Sequence, residues 1–271
     1  MLKLTKKEKE KLDNKVEVVI NGKKYFCKSM CYGLTELLVE RLAKIVNINT
    51  AHYELVNVSN QYFYLSEEIK GNGIFLTASQ IGIHRNSLYY IWNFFEKCYP
   101  NQVHEIMVEI VKIYLFDILM LNADRVSSNW GFIVNNERIE SVYIFDNELA
   151  FCVDSPVMLT AKKNYNDKLE KYSKLDNWHS LFTAVQKNIR ELEMFLVMAP
   201  EEYIDIFLDM YAKLTVPVVR DTYEAILKEV GNNKTLFGNL EYLRIYNDSY
   251  KAIGKLLEAH GLIGGSRKLV K

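Results

Sequence analysis

Two short stretches decide how this sequence is interpreted: LNADRVSSNWGF, from Leu121 to Phe132, and IFDNELAF, from Ile144 to Phe151. Both place oxygen-bearing side chains beside apolar runs, with Asp124 and Asn129 in the first and Asp146 in the second. Carboxylate and amide oxygens are ligands that magnesium accepts. Asp146 follows the apolar run VYIF, where a buried carboxylate without a metal or partner would be costly. We therefore interpret the two stretches as one candidate centre for metal binding and catalysis.

The composition is that of a globular chain with no charge bias. Its 271 residues are 49% hydrophobic, which is enough for one large domain or two lobes with a packed core. Lys plus Arg and Asp plus Glu both count 34, so we expect neither nucleic acid nor a membrane as a partner. Charges interrupt the apolar run from Ile106 to Met120, which disfavours a membrane span. With no secretory segment and four cysteines expected to be reduced and buried, the sequence predicts a cytoplasmic protein.

The apolar pattern predicts a small β-rich part followed by a helical one. Two strands flank Asn21-Gly22, which is a strong hairpin signal. A helix expected from Thr35 to Val46 follows, and then a second strand pair completes a ββαββ order. We predict an N-lobe over residues 1–72 and a helical C-lobe over residues 73–271.

In the C-lobe, helical patterns precede and follow a short hairpin. Helices are expected at about Ser87–Lys97 and Gln102–Leu121. A hairpin around Asn135-Asn136 then places Asp146 directly after a strand. From Asp176 onward the pattern is almost entirely helical. The expected breaks in this part are Pro200, Pro217 and Gly231.

The first stretch resembles a known kinase signature. Asn122-Ala123-Asp124-Arg125, followed by Asn129, is similar to the N-x-D-R-H-x-x-N motif of HipA-like kinases, with Val126 in place of the histidine. Phosphatidylinositol 3- and 4-kinases carry a related version. In the second stretch, Asp146 stands where protein kinases carry the Asp of DFG. The resemblance implies an α+β, two-lobed protein-kinase-like fold with a small β-rich N-lobe and a mainly helical C-lobe.

The resemblance also implies an ATP- and magnesium-dependent phosphotransferase, a protein kinase acting on Ser, Thr or Tyr hydroxyls. Asp124 would accept or orient the hydroxyl proton, while Asn129 and Asp146 would hold magnesium. Arg125 would either bind a phosphate or pair with an acid of the C-lobe. The implied partners are a protein substrate and an antitoxin-like or regulatory protein.

Residues of the N-lobe are the candidates for nucleotide binding. Lys28, at a strand end, and Glu36, on the next helix, match the kinase Lys–Glu pair that holds the nucleotide phosphates. Ser66, Glu67 and Glu68 occupy the place of the kinase hinge, whose backbone meets adenine. No glycine-rich loop precedes Lys28, so further phosphate contacts are expected from the loop SMCYGLT or from the N-terminal lysines.

These residues also have ordinary structural interpretations. Asp124 could end a helix, and Asn129 and Asn147 could be turn residues. Lys28 could protect an edge strand, and Glu36 could interact with a helix macrodipole. Two other functions also stay open: a pseudokinase or interaction module, and a lipid or small-molecule kinase. The lipid alternative is disfavoured because the sequence has no basic amphipathic surface helix.

Overall fold

A computed structural model describes residues 17–28, 33–58, 61–84, 87–122, 125–147, 150–151, 185–229 and 241–264. Its strands are β1 (Glu17–Ile20), β2 (Lys23–Lys28), β3 (Asn49–Thr50), β4 (Tyr53–Val58), β5 (Gln61–Glu67), β6 (Ile74–Thr77), β7 (Trp130–Asn135) and β8 (Arg138–Ile144). Its helices are α1 (Gly33–Ile45), α2 (Leu88–Cys98), α3 (Val103–Met120), α4 (Val185–Met198), α5 (Glu201–Lys213), α6 (Val216–Glu229) and α7 (Glu241–Ala259). The chain therefore combines a small β-rich part with a larger helical part.

The first sheet has the strand order β1-β2-β5-β4, with antiparallel pairing throughout. The turn between β1 and β2 is the predicted Asn21-Gly22, and both residues have positive φ, at 51° and 78°. Such a turn follows the right-handed twist of the two strands, which confirms the predicted hairpin. The predicted ββαββ order is also confirmed, with the short strand β3 inserted between α1 and β4.

The second sheet has the order β3-β8-β7-β6, and β3 pairs in parallel with β8. Neither β3 nor β6 was predicted from the sequence. β3 has two residues and β6 has four, which is too few to show a clear alternation of apolar and polar residues. The predicted β7–β8 turn was wrong by one residue. It lies at Asn136-Glu137, where φ is 47° and 62°. Because β3 precedes β4 in the chain, this sheet joins the β-rich part to the remainder, and the boundary at residue 72 stays a prediction.

The described helices follow the apolar pattern with one correction. α6 begins at Val216, so Pro217 lies within its first turn and is not a break. The first turn tolerates proline because its N–H groups have no partner within the helix.

The four cysteines are not all buried, contrary to the prediction from the sequence. Cys27 is half-buried and Cys98 is exposed, both as free thiols, and the other two lie outside the described residues.

One large hydrophobic core runs through the molecule. It includes fully buried residues of α1, α3, β7, α5 and α7, of which Leu38, Phe116, Trp130, Phe207 and Tyr246 are examples. A smaller cluster lies on the first sheet around Tyr25 and Leu65. The large core packs α1 together with the helical part, so the position of this helix is fixed relative to β7 and β8. Among the described residues, no helix is long and apolar enough to cross a membrane.

Candidate functional site

The β7–β8 hairpin brings the two predicted magnesium ligands to one end of the second sheet. Trp130, the first residue of β7, is opposite Ile144, the last residue of β8. One step beyond this pair, the Phe145 amide donates to the Asn129 carbonyl at 3.1 Å. Asn129 and Asp146 therefore lie on adjacent chain segments, and their roles as magnesium ligands stay predictions.

Asn129 is held just before β7 begins. It is only 5% exposed, and its amide N–H donates to the Val126 carbonyl at 2.9 Å. Its Oδ1 accepts a hydrogen bond from the Ser128 hydroxyl at 3.2 Å. The side-chain oxygen is therefore already oriented by a local donor, and a carbonyl-type oxygen is a suitable ligand for magnesium.

Asp146 leaves β8 in a left-handed conformation, with φ of 56°. Asp is one of the few residues with a side chain that adopts this conformation readily. The Asp146 amide donates to the hydroxyl of Tyr53 at 3.2 Å, and its side chain is half-buried. The chain turn at this residue is therefore supported from β4, in the first sheet.

Arg125 is fully buried and binds the segments around it. Its Nε and Nη2 donate to the two carboxylate oxygens of Asp117, each at 2.9 Å. Its Nη1 donates to the carbonyls of Asn129, at 2.8 Å, and Phe145, at 3.1 Å. Its Nη2 also donates to Asn147 Oδ1 at 2.5 Å. A guanidinium has five N–H donors, and these five bonds account for all of them. Of the two roles expected for Arg125, the structure gives the pair with an acid.

Asn147 continues this network to helix α1. It is fully buried, and its Nδ2 donates to Oε2 of Glu36 at 3.2 Å. Glu36 is itself fully buried in the first turn of α1. A buried polar chain therefore runs from Asp117 on α3, through Arg125 and Asn147, to the carboxylate on which the predicted nucleotide site depends.

Two buried tyrosines lie close to Glu36, and the pKa of each is raised. Burial, and then the Glu36 carboxylate, hold the pKa of Tyr53 well above its ordinary value. Burial, Tyr53 and Glu36 do the same for the pKa of Tyr64. Both phenols therefore stay protonated at neutral pH, and Tyr53 can serve as a fixed neutral contact for the Asp146 loop.

The predicted base and the predicted phosphate-binding lysine are less fully defined. Asp124 lies outside the described residues, between Asn122 and Arg125. Lys28 is the last residue of β2, where its backbone is opposite Tyr64 of β5, while its side chain lies outside what the structure describes. The roles of Asp124 and Lys28 stay predictions.

The expected hinge lies at the end of β5. Ser66 is buried between Phe26 and Tyr53 in the sheet. The amide of Glu67 donates to the His52 carbonyl at 2.8 Å, and that of Glu68 donates to the Lys24 carbonyl at 2.9 Å. An adenine at this segment would therefore be contacted by atoms other than these two amides.

The hinge carboxylates face nearby lysines. Glu67 pairs with Lys23 at 2.9 Å, and Glu68 pairs with Lys70 at 3.2 Å. These are partly exposed ion pairs, which contribute little to stability. The role of this segment as a hinge stays a prediction.

The ligand set fits magnesium in its chemistry. Asn129 offers an amide oxygen and Asp146 a carboxylate, and magnesium is often held by one or two such protein groups together with phosphate oxygens and water. Among the described residues, no three His, Cys, Asp and Glu side chains cluster as a metal site of their own.

Three features of the site were not predicted from the sequence. They are the participation of Asp117, the participation of Tyr53 and the bridging position of Asn147. Asp117 carried a signal, because it is the one acid in the apolar run LFDILM and a buried acid requires a partner. It also accepts from Asn122 Nδ2 at 2.9 Å. Asn147 and Tyr53 carried none, because their partners lie far away in the sequence.

Comparisons with known proteins give the fold. No family model and no curated protein matches the sequence. Solved structures match the chain in three dimensions, and two of them are given. One is HipA from Shewanella oneidensis MR-1, determined with HipB and its operator DNA. Its TM-score is 0.59 at 12% identity, over 93% of this chain and 67% of that one.

The other is the proinflammatory kinase CtkA of Helicobacter pylori. Its TM-score is 0.58 at 12% identity, over 90% of this chain and 94% of that one. The chain has a HipA-like kinase fold. The expected resemblance and the two-lobed, kinase-like α+β class are thereby confirmed. At this identity the HipA-like fold is what the comparison establishes, and the chemistry rests on the residues described above.

Proposed function

We propose that this chain is an ATP- and magnesium-dependent phosphotransferase of the HipA-like type that phosphorylates Ser, Thr or Tyr hydroxyls of a protein. One observation carries the proposal. The β7–β8 hairpin holds Asn129 beside the segment of Asp146 within a HipA-like kinase fold, and Asp124 shortly precedes Asn129 in the sequence. Phosphoryl transfer needs this combination of oxygen ligands for magnesium and a nearby carboxylate.

Each residue has a distinct role in the proposal. ATP supplies the phosphoryl group, and magnesium offsets the negative charge on its oxygens. Asn129 and Asp146 would hold the metal, and Lys28 with Glu36 would hold the phosphates. Asp124 orients the acceptor hydroxyl and takes its proton as the phosphorus–oxygen bond forms and ADP leaves. Arg125 keeps the metal-binding segments in register through the carbonyls of residues 129 and 145.

The proposed partners are a protein substrate and a regulatory protein. Support for a regulatory partner comes from the Shewanella HipA, which was determined together with HipB and operator DNA. For this chain, the equal numbers of acidic and basic residues favour a protein partner over nucleic acid. We propose that it acts in the cytoplasm.

The experiment is phosphate transfer from γ-labelled ATP by the purified chain, with magnesium or with EDTA. The chain is incubated first alone, for autophosphorylation, and then with cell lysate. The proposal predicts label on protein only when magnesium is present. A chain that neither binds nor uses MgATP would contradict it.

A thermal-unfolding scan with MgATP separates the enzyme from the interaction module. A ligand that binds only the folded state raises the free energy of unfolding, by about 2.7 kcal/mol when its free concentration is 100 times its Kd. Tm rises with it. A magnesium-dependent rise accompanied by transfer supports the enzyme. A folded protein with neither rise nor transfer supports the interaction module.

A further inference from the structure

The residue after Asp146 connects the two halves of the candidate site. Asn147 accepts from Arg125 at 2.5 Å through Oδ1 and donates to Glu36 at 3.2 Å through Nδ2. We infer that Asn147 is a positioning residue through which helix α1 sets the place of Asp146, and that Glu36 acts on the site through this amide. The inference rests on the proposed function, because it specifies how the proposed magnesium ligand is held.

An amide is suited to this position because its two neighbours have opposite needs. Arg125 presents N–H donors, while Glu36 presents a carboxylate oxygen. Asn provides one acceptor and two donors on a short side chain. A carboxylate at this position would satisfy Arg125 and repel Glu36, and an aliphatic side chain would satisfy neither. Leaving a buried polar group without its hydrogen bond costs more free energy than leaving an exposed one without it.

Helix α1 reaches the same loop by a second route. Glu40, one turn after Glu36, accepts from the Tyr53 amide at 3.1 Å. The hydroxyl of Tyr53 in turn accepts from the amide of Asp146 at 3.2 Å. The two routes end on consecutive residues, 146 and 147. A shift of α1 therefore moves both the backbone that carries the metal ligand and the side chain beside it.

The test exchanges the acid and the amide. Asn147→Asp places a second carboxylate against Glu36, and Glu36→Gln removes the charge there. In the double variant, position 36 supplies the N–H donor and position 147 supplies the acceptor. The hydrogen bond can then form again with its direction reversed, while Arg125 still faces an oxygen.

The measurements are kcat, the KM for MgATP and the Mg²⁺ concentration that gives half the maximal rate. Asn147→Asp is expected to lower kcat by about 10- to 100-fold and to raise the Mg²⁺ requirement, as substitutions that misplace metal ligands do. The double variant is expected to lose less activity than the product of the two single-variant losses, and its Mg²⁺ requirement is expected to return to that of Glu36→Gln alone. This result is decisive because a Glu36 that acted only through Lys28 would give the full product of the two losses.

Additive effects of the two substitutions on rate and Mg²⁺ response would overturn the inference and leave the proposed function standing. Absence of MgATP-dependent transfer by the wild type would remove the proposed function, and the inference with it. If Asn147→Asp does not fold, Asn147→Ala is measured in the wild-type and Glu36→Gln backgrounds. The inference then predicts a smaller effect in the second background, and equal effects would overturn it.

Gln102 provides a matched control. It is also a buried amide, and it donates to and accepts from the backbone of Ile139 at 3.0 and 3.2 Å. Gln102→Ala is expected to lower Tm without changing the Mg²⁺ requirement. The control separates general loss of a buried amide from loss of the link to Glu36.

Discussion

Arg125 and Asp117 form a buried, bidentate ion pair, in which Nε and Nη2 of the guanidinium each lie 2.9 Å from a different carboxylate oxygen. Both side chains are almost completely excluded from solvent. The pair joins helix α3 to the loop that precedes β7, and the remaining donors of Arg125 bind the carbonyls of Asn129 and Phe145 and the side chain of Asn147. The stability of the fold and the geometry of the site are therefore coupled at this guanidinium.

Asp117→Asn tests this coupling. Removing one charge of a buried pair leaves the other uncompensated and costs about 3–5 kcal/mol. We expect a corresponding fall in the free energy of unfolding, measured by denaturant titration. The control is Asp221→Asn, because Asp221 is an exposed residue 3.4 Å from Arg220 and its loss should change stability by less than about 1 kcal/mol. Equal stability of the two variants would show that the buried pair does not hold the loop.

Two glycines are expected to respond differently to the same substitution. A Cβ on Gly131 would lie 2.4 Å from the Leu76 carbonyl oxygen, so Gly131→Ala forces β6 and β7 apart. A Cβ on Gly22 meets nothing within 4 Å, and only its φ of 78° opposes alanine. We expect a loss of about 3 kcal/mol for the first and about 1–2 kcal/mol for the second.

Thermal unfolding of the two alanine variants, run side by side, checks this difference. Phosphate transfer should also fall only in Gly131→Ala, since Asn129 directly precedes β7. If Gly22→Ala proved the more damaging of the two, the described packing of β6 against β7 would be wrong.

His52 should make stability depend on pH. Its ring nitrogen lies 2.7 Å from Glu40 on α1, and this hydrogen bond is the main reason that the pKa of His52 is raised above 6.5, against burial, which lowers it. Glu54 adds to the rise, while Lys44 opposes it. The stabilisation is complete below the unfolded pKa of 6.5 and is lost as the pH rises through the folded pKa.

His52→Gln removes the titrating group and tests this dependence. Denaturant titrations at about pH 5.5 and about pH 8.5 give the free energy of unfolding of both proteins. The value for the wild type should exceed that for the variant by more at the lower pH. A difference that does not change with pH, or that grows at the higher pH, would contradict the pairing with Glu40.

The sequence predicted those parts of the fold that are encoded locally. Alternating and helical apolar patterns located the strands around Asn21-Gly22 and the helices α2 and α3, because each depends on residues close in the chain. β3 escaped prediction because its two residues form a strand only by pairing with β8, across the chain. Such pairings have no local sequence pattern.

The candidate site shows the same division. Asn129 and Asp146 could be predicted as neighbours because a single hairpin joins them. The bond from Asn147 to Glu36 could not, because the two residues are 111 positions apart and each has an ordinary local interpretation. Glu36 was expected beside a lysine, and its contact with an amide became visible only once the chain was folded.

The most direct measurement compares MgATP binding and phosphate transfer in Asp146→Ala and Asp124→Ala. We expect Asp146→Ala to lose both magnesium-dependent binding and transfer, whereas Asp124→Ala still binds MgATP and transfers phosphate about 10²- to 10⁴-fold more slowly. Asp146→Asn is included because Asn tolerates the left-handed backbone at this position, so its behaviour separates loss of the metal ligand from backbone strain. Wild-type binding and transfer in both alanine variants would contradict the account.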